Sequence, residues 1–405
     1  MNNSPAPMHL HRQKHGLFDK PSKKRIAPAP KPPSNPQNNQ QNNQQKKKNR
    51  ALTITLRVLY VLLTLILAVF LTLVISIKMI CSDISPAAKS TFVSTLLETG
   101  QLKFLASIFV SEDERNAIVE GNTMEEMTED IDGSLIMIGG GSNDSSSPIG
   151  DSERPDIEVI EISGRTFYGN LIIVKDPSRI SLASIYAQNG NSWPTSGVTL
   201  DKLVTDNGAV AGINSGLYDS TNNSGGRPLG IVVSNGEIQM NEPQAYPGLV
   251  LIGFDEDNIL QIIDVDGMSR AETEKLIKEK RIRDAVTFQE EATDKNNHFV
   301  KLVINGKARE LNGAGSGLNP RTCIGQCADG AVMMLVTDGR GKNSHLGASA
   351  SDLIGIMMEY GAVNAANLDG GSSSCMYYED AYLMTSVTFY YSNDSWRMPT
   401  AFVVK

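Results

Sequence analysis

An uncharged stretch of twenty residues near the N-terminus, Val58–Ile77, constrains this chain more than any other feature. A helix rises about 1.5 Å per residue, so such a stretch covers about 30 Å, the thickness of the hydrocarbon core of a bilayer. A helix of a soluble core needs a polar face, whereas this segment has only scattered Thr, Tyr and Ser. A cleaved signal peptide has a shorter apolar core. The sequence therefore predicts a membrane anchor over residues 52–78.

Charge is distributed unevenly on the two sides of this segment. Residues 1–50 contain eleven Lys or Arg and one acid, Asp19, which leaves 26 basic and 44 acidic residues of the chain's 37 and 45 for residues 51–405. Basic residues before a span keep the N-terminus in the cytoplasm, so we expect residues 79–405 to be translocated and the protein to be a single-pass membrane protein. The acidic body argues against nucleic acid as a partner.

Residues 1–50 are rich in Pro, Gln, Asn and Lys and have too few apolar residues to form a core. We therefore predict a disordered cytoplasmic tail, whose last basic residues lie against acidic lipid headgroups.

The segment 85–130 is predicted to be helical. Ser85 and Pro86 are typical of an N-cap and the first helical position, and Ser111 precedes a run with acids in its first turn. Two interpretations stay open for this segment, a stalk or a small helical cap, and the stalk is preferred. Residues 131–156 are predicted to be a linker because they are rich in Gly, Ser, Asn and Asp.

Residues 157–405 have the pattern of an α+β domain, in which a strand-rich mixed sheet core has flanking helices. Short β-rich runs alternate with turns, and Asn235-Gly236 and Asn305-Gly306 are typical of tight hairpins. Helices are predicted over 270–283 and 348–360. About 250 residues can bury a core without disulfides, so we expect this domain to fold without the residues that precede it.

Four short segments of this domain have residues suited to chemistry. The first, Asn214–Gly216, ends a predicted strand, where small residues let a ligand approach the backbone closely. In the second, Pro320 precedes Arg321, whose guanidinium can hold a phosphate or carboxylate with two hydrogen bonds. An equally good interpretation of Arg321 is an ion pair with an acid across the sheet.

In the third segment, Asp338 and Arg340 follow a buried strand, at a position where ligands often bind; a simple turn is the alternative. The fourth contains Asp369 followed by two Gly and three Ser. Consecutive backbone N–H groups in such a turn can bind an anion, which would place a phosphate beside Asp369.

Taken together, the segments resemble the phosphodiester glycosidases over about residues 160–405. In order, the matching segments are NSG at 214–216, NPRTC at 319–323, TDGR at 337–340, a Ser and Gly before a helix at 344–348, and NLDGGSSS at 367–374. The departures from the family pattern are Ser215, Cys323, Thr337, Ser372 and Cys375.

The resemblance implies a hydrolase that breaks the bond between a sugar C1 and a phosphodiester, such as an N-acetylhexosamine-1-phosphodiester of a surface glycan or exopolysaccharide. Charge grows on the phosphate and on an oxocarbenium-like sugar, so arginines and carboxylates are required. Asp369 and Asp338 are the expected catalytic residues. The expected substrate-binding residues are Asn214, Ser215, Gly216, Arg321, Thr322, Arg340, His345, Gly370, Gly371, Ser372 and Ser373.

Several alternatives stay open. A noncatalytic polysaccharide-binding or exopolysaccharide assembly protein is the second function class. His345 is either a secondary acid or base or only a hydrogen-bonding loop residue. Cys323 and Cys375 form a bridge or, as preferred, remain buried thiols. No cofactor is expected to be required, and the metal requirement is open, with calcium as the candidate.

Overall fold

The computed structural model describes residues 36–99, 102–138, 155–292, 297–387 and 393–405. The chain divides into two compact units, Met1–Thr72 and Leu73–Lys405. Most of the predicted disordered tail (residues 1–35) and most of the predicted linker (residues 139–154) lie outside the described residues.

Helix α1, Pro36–Ile80, contains the predicted anchor and, within the described part of the chain, is the helix long and apolar enough to cross a membrane. It begins earlier than the sequence predicts, because residues 36–50 are helical rather than disordered. Pro36 occupies the first turn, which proline tolerates, and the Gln, Asn and Lys residues that follow contain no further Pro or Gly to stop the helix.

Among its described residues, the second unit contains six further α-helices and nineteen strands. The helices are α2 (Pro86–Leu97), α3 (Lys103–Phe109), α4 (Glu112–Glu120), α5 (Leu200–Asp206), α6 (Arg270–Glu279) and α7 (Ala350–Glu359). The first ten strands are β1 (Ile157–Ser163), β2 (Tyr168–Val174), β3 (Ile180–Ser184), β4 (Ala211–Asn214), β5 (Ile231–Ser234), β6 (Glu237–Asn241), β7 (Leu249–Asp255), β8 (Leu260–Asp264), β9 (Ile282–Gln289) and β10 (Glu291–Ala292). The others are β11 (Asn297–His298), β12 (Lys301–Ile304), β13 (Lys307–Ala308), β14 (Arg321–Cys327), β15 (Val332–Thr337), β16 (Ala362–Asn367), β17 (Met376–Tyr378), β18 (Ala381–Met384) and β19 (Thr400–Val404).

Three sheets form the body of this α+β fold. Their strand orders are β1-β2-β15-β14-β16-β12-β13, β18-β17-β4-β19-β3 and β6-β5-β9-β7-β8, and β10 pairs with β11 separately. All strand pairs in the described residues are antiparallel, so the predicted mixed sheet core consists of antiparallel sheets.

The inner faces of the three sheets share one apolar core, to which β2, β4 and β7 contribute Ile172, Ile213 and Ile252. Each outer face is covered by one helix: α7 on the first sheet, α5 on the second and α6 on the third. Strand β15 is therefore buried on both faces, with Met334 in the central core and Met333 under α7.

Helices α2, α3 and α4 pack on one another and form the helical cap, residues 85–120. Ser85 caps α2 and Ser111 forms a capping box with Glu114, as the sequence indicates. The cap contacts the α+β domain directly, because Thr95 Oγ1 accepts a hydrogen bond from Leu318 N at 3.0 Å. This contact fits the interpretation of the region as a small helical cap, and not the stalk that is preferred from the sequence.

The chain between the cap and β1 also lies on the domain. Residues 123–125 pair with residues 310–312, and Met137 N donates to Ala328 O at 2.8 Å. The described part of the predicted linker, residues 131–138, is thus held against the sheet, because its backbone finds hydrogen-bond partners there.

The hairpin turns at Asn235-Gly236 and Asn305-Gly306 are confirmed, each joining two paired strands with positive φ at both residues. The helix predicted over 270–283 ends at Glu279, and β9 begins at Ile282. The sequence of β9, IRDAVTFQ, is β-branched and aromatic and packs as the central strand of the third sheet, so tertiary burial decides its conformation.

Candidate active site

The strand register of the first sheet brings three of the four predicted segments together. Strand β14 lies between β15 and β16, with Arg321 opposite Thr337 and Cys323 opposite Asn367. Arg321 therefore lies beside the end of β15, where Asp338 follows, and beside the end of β16, where Asp369 follows. Antiparallel pairing alone is sufficient to collect these segments at one edge.

The fourth segment comes from the second sheet and is tied to the same edge by Asn214. Its Nδ2 donates to Asp369 O at 2.5 Å, and its Oδ1 accepts from Thr322 Oγ1 at 2.7 Å and from Cys375 N at 3.1 Å. Asn214 and Thr322 are fully buried. These two predicted substrate-binding residues hold the two sheets together under the site.

Ser215 and Gly216 are also buried. Ser215 Oγ is 2.8 Å from Thr400 Oγ1, and the Ser215 carbonyl accepts from Asp369 N at 3.1 Å. A Cβ on Gly216 would lie 2.6 Å from the Thr287 carbonyl oxygen, so this position packs tightly against β9. Both residues shape the floor of the site.

Asp369 is the partly buried carboxylate of the site. Burial raises its pKa from an ordinary value near 3.8 to about 6, opposed by hydrogen bonds from Ser373 and the Gly370 backbone and by the positive charge of Arg340. A carboxyl group titrating near pH 6 is poised for proton transfer or nucleophilic attack near neutral pH.

The turn after Asp369 is a 3-10 helix, Gly371–Ser373. The N–H groups of Gly371, Ser373 and Ser374 donate to backbone carbonyls of Pro320, Gly370 and Gly371. The predicted anion-binding nest is therefore not formed by these three groups. The polar side chains of the turn are the groups that contact Arg340 and Asp369.

Arg340 is an exposed residue with positive φ in the loop after β15. Its Nη1 donates to Ser372 Oγ at 2.9 Å, and its Nε donates to Asn319 Oδ1 at 3.3 Å. Ser372, a departure from the family pattern, thus holds this guanidinium beside Asp369. Gly371 has φ +63°, which favours glycine, and a Cβ there would lie 2.6 Å from Arg340 Nη2, so a side chain at this position would displace the guanidinium.

Arg321 is held differently, because its side chain is only 7% exposed. Its Nη2 pairs with the Glu98 carboxylate and donates to Ser316 Oγ at 3.1 Å and Gly317 O at 2.8 Å, and its Nε donates to Ala348 O. Its guanidinium carbon also lies 4.8 Å from the centre of the Phe299 ring. Of the two interpretations of Arg321, the ion pair is the one observed, although its partner is an acid of the cap.

Asp338 and His345 form a hydrogen-bonded pair, of which only Asp338 is buried. His345 Nδ1 is 2.7 Å from Asp338 Oδ2, and Asp338 Oδ1 accepts from Tyr168 N at 2.8 Å. The Asp338 side chain is 1% exposed and that of His345 is 31% exposed. His345 is therefore the member of the pair that a ligand can reach, with its ring oriented by the carboxylate.

Three residues that are not among the predicted site residues belong to this site. Tyr218 Oη lies 2.9 Å from Ser373 Oγ, and burial together with the charge of Asp369 raises the pKa of this phenol, which keeps it neutral. Asn319 contacts Arg340, and Glu98 contacts Arg321. Asn319 begins the NPRTC motif, whereas nothing in the sequence connects Glu98 with a segment more than 200 residues away.

The four cysteines are buried and form no disulfide, and burial raises the pKa of Cys323 and Cys375. Among the described residues, no group of three or more His, Cys, Asp or Glu side chains is arranged to hold a metal ion.

Residues 207–405, which include β4 and every motif of the site, match a family model described as phosphodiester glycosidase. This match identifies a phosphodiester glycosidase domain over residues 207–405. The family is one of hydrolases, and the match covers the residues from which the resemblance was inferred. Residues 160–206 lie outside the match, although they supply β2 and β3 of the same sheets.

Individual relatives are more distant. The Bacillus subtilis (strain 168) protein named SPbeta prophage-derived uncharacterized protein YomE is 38% identical over 65 residues, which are 16% of this chain and a tenth (10%) of that relative's length. The zebrafish N-acetylglucosamine-1-phosphodiester alpha-N-acetylglucosaminidase catalytic domain, auto-inhibited by its pro-peptide, superimposes with a TM-score of 0.47 at 16% identity, over 62% of this chain and 84% of that one. A hypothetical protein from Synechocystis gives a TM-score of 0.38 at 16% identity, over 62% and 61% of the two chains.

Proposed function

We propose that this protein is a membrane-anchored, extracytoplasmic hydrolase that cleaves the glycosidic bond of sugar-1-phosphodiesters, with N-acetylhexosamine-1-phosphodiesters of surface glycans or exopolysaccharides as the substrate class. The observation that supports it most is the placement of Arg340 and Asp369 at one edge of the sheets, near enough for the arginine charge to lower the pKa of the carboxyl group. The positive charge of Arg340 can bind the phosphate of the substrate. The carboxylate of Asp369, whose pKa is about 6, can act on the adjoining sugar.

In the proposed reaction, the phosphate lies against Arg340 and the sugar C1 faces Asp369. The bond between C1 and the phosphate oxygen breaks, and the phosphate monoester leaves with the electron pair. Arg340 stabilises the charge that grows on this group, so little protonation of the leaving oxygen is needed. Water supplies the hydroxyl group that ends on C1.

Asp369 acts at C1 either as a nucleophile or as the base that takes a proton from water. Retention of configuration in the released sugar indicates the nucleophile, because two displacements occur, and inversion indicates the base. Asp338 orients His345, whose exposed ring is placed to exchange a proton with the substrate. Neither role requires a cofactor. A requirement for a divalent ion such as calcium is tested by measuring turnover after the ion is added and after it is chelated.

The experiment is an incubation of the full chain, purified in detergent, with UDP-N-acetylglucosamine in water labelled with ¹⁸O. The proposal expects UDP and N-acetylglucosamine as products, with the label on the sugar. Label on the phosphate would mean that a P–O bond breaks and that the protein is a phosphodiesterase. Binding of the sugar phosphate without any turnover would favour the noncatalytic polysaccharide-binding alternative.

The proposed location is tested separately on intact cells. Protease added outside should digest the second unit and leave residues 1–50 intact if the N-terminus is cytoplasmic. Protection of the second unit, with digestion of the tail, would contradict the surface location but not the chemistry.

A further inference from the structure

Glu98, the C-cap residue that follows the cap helix α2, lies among the residues that carry the site. Its side chain is only 2% exposed. Its Oε1 accepts from Gly317 N at 2.6 Å, and its Oε2 accepts from Asn319 Nδ2 at 3.0 Å and from Arg321 Nη2. One carboxylate therefore holds a backbone amide, a side-chain amide and a guanidinium of the segment that precedes and begins β14.

The side-chain amide of Asn319 connects Glu98 to Arg340 by hydrogen bonds. A carboxylate only accepts hydrogen bonds, so Asn319 must turn its Nδ2 toward Glu98, which leaves its Oδ1 facing Arg340. A guanidinium only donates, and Arg340 Nε donates to this oxygen at 3.3 Å. The Glu98 charge thus fixes Arg321 directly and the orientation of the Asn319 amide that receives Arg340.

The loop that faces α2 contains a glycine at the point where the helix approaches it most closely. A Cβ on Gly317 would lie 2.3 Å from Thr95 N, so a larger residue would push the helix away. Thr95 Oγ1 also accepts from Leu318 N at 3.0 Å. This contact provides a second point of attachment one helical turn before Glu98.

We propose that Glu98 is a positioning residue of the hydrolytic site, and that the helical cap completes the arrangement of its two arginines. This inference rests on the proposed function. Glu98 need not touch the substrate: it orients Asn319 and Arg321, and through Asn319 it sets the guanidinium of Arg340 beside Asp369.

Glu98→Gln is the informative substitution because it keeps the shape and removes the charge. The new amide has one oxygen in place of two, so either the donor that faces Oε1, Gly317 N, or the donors that face Oε2, Asn319 Nδ2 and Arg321 Nη2, lose their acceptor. If Asn319 flips to compensate, its Nδ2 faces Arg340, and two donors then oppose each other. The position of Arg340 is disturbed when the Asn319 amide flips or loses this acceptor.

The test uses the full chain in detergent and measures UDP binding by calorimetry and turnover of UDP-N-acetylglucosamine. Glu98→Gln should weaken UDP binding and lower kcat/KM by about tenfold to a hundredfold, the range expected for a charge-assisted hydrogen bond. Glu112→Gln, an exposed glutamate of the same cap, is the matched control and should behave as wild type.

A double-mutant cycle with Arg340→Lys separates positioning from general loss of structure. If Glu98 acts through Arg340, adding Glu98→Gln to Arg340→Lys should lower kcat/KM by about threefold or less, whereas independent effects would multiply. Thr95→Val weakens the same contact more mildly and is expected to lower kcat/KM in the same direction. It decides the question if Glu98→Gln does not fold.

Equal binding and turnover in Glu98→Gln and Glu112→Gln would overturn the inference while leaving the hydrolase intact. Higher turnover in Glu98→Gln or Thr95→Val would also overturn it, because the cap would then block the site instead of ordering it. A wild-type chain that neither binds UDP nor releases N-acetylglucosamine would contradict the proposed function itself.

Discussion

At the scale of single residues, the two central groups of the site are the carboxylate of Asp369 and the accessible guanidinium of Arg340. Asp369 follows β16 and Arg340 follows β15, and Ser372 links the two loops by accepting from Arg340 Nη1 at 2.9 Å. Arg321, the arginine that the sequence favours equally, has its donors directed to Glu98, Ser316 and backbone carbonyls. The two arginines therefore have different expected roles.

Replacing Asp369 by Asn should lower kcat by about a thousandfold or more, because carboxylates that act at the reacting carbon contribute on that scale. In the wild type, kcat should rise as pH increases through about 6, where the Asp369 carboxyl ionises. Initial rates from pH 4.5 to 8 measure both effects. A flat wild-type profile, or an active Asn variant, would remove Asp369 from the reaction.

The same substitution should stabilise the fold at neutral pH. The pKa of Asp369 is raised from near 3.8 to about 6 in the folded state, so the wild type loses stability relative to the Asn variant as pH rises between these values. The variant should gain about 1–3 kcal/mol in free energy of unfolding above pH 6 and little below pH 4. Urea unfolding at pH 4 and pH 7.5 gives the comparison, and a gain that is equal at both pH values would contradict this assignment.

Arg340→Lys and Arg321→Lys should separate binding from folding. Lysine keeps the charge but loses the planar fork, so Arg340→Lys should lower kcat/KM for the phosphodiester by about a hundredfold with a small change in Tm. Arg321→Lys breaks a buried network and should cost about 3 kcal/mol of stability. Thermal unfolding and steady-state kinetics of both variants decide the matter, and the opposite pattern would reassign the phosphate to Arg321.

At the scale of elements, two loops and the end of one strand must keep a fixed relation. The loop after β16 folds over Pro320, whose carbonyl accepts from Gly371 N at 2.8 Å, and it approaches the loop after β15 closely at Gly371. Strand β4 holds the first loop from beneath through Asn214. These attachments hold Asp369 and Arg340 in a fixed position relative to each other, as catalysis requires.

Gly371→Ala tests this relation without removing a functional group. The Ala side chain would have to occupy a positive φ and lie 2.6 Å from Arg340 Nη2, so the loop or the arginine must move. We expect a loss of about 1–3 kcal/mol of stability and at least tenfold in kcat/KM. Gly361→Ala, also at positive φ but with open space around its Cβ, is the control for strain alone. Equal kinetic losses in both variants would show that Arg340 is not displaced.

At the scale of the whole molecule, the α+β domain and the helical cap are one compact unit. The cap supplies Glu98 to a buried arginine, and residues 123–137 run along the first sheet. A domain that begins at residue 157 would leave Arg321 buried without its carboxylate, which is costly. These contacts argue against the sequence-based expectation that residues 157–405 fold alone, and that expectation can be tested directly.

A truncated protein comprising residues 81–405 should unfold cooperatively, and one comprising residues 157–405 should be less stable by several kcal/mol or should aggregate, because it loses both the ion pair and the covering segment. Urea unfolding of the two proteins in parallel measures the difference. Equal stability would support the expectation from the sequence and make the cap dispensable for folding.

The sequence determined by itself the features that depend on local chemistry. An uncharged segment of twenty residues predicts a helix long enough to span a bilayer, and Asn-Gly pairs predict hairpins, because neighbouring residues are sufficient for both. The order of the short motifs was also sufficient to identify the family and to predict that Asp369 and the arginines share one site. Each of these inferences needs only residues that are close in the chain or a pattern already established in the family.

Only the tertiary structure decided which arginine faces the site and what holds it there. The sequence favours Arg321 and Arg340 equally as phosphate-binding residues. In the structure, Arg321 begins β14, which the cap covers, and Arg340 follows β15 at the exposed end of that strand. The acid that pairs with Arg321 lies 223 residues earlier, at the end of a helix for which the sequence predicts only an N-cap and a helical conformation. Long-range contacts of this kind leave no periodicity or motif in the sequence, because they depend on how separate elements pack against one another.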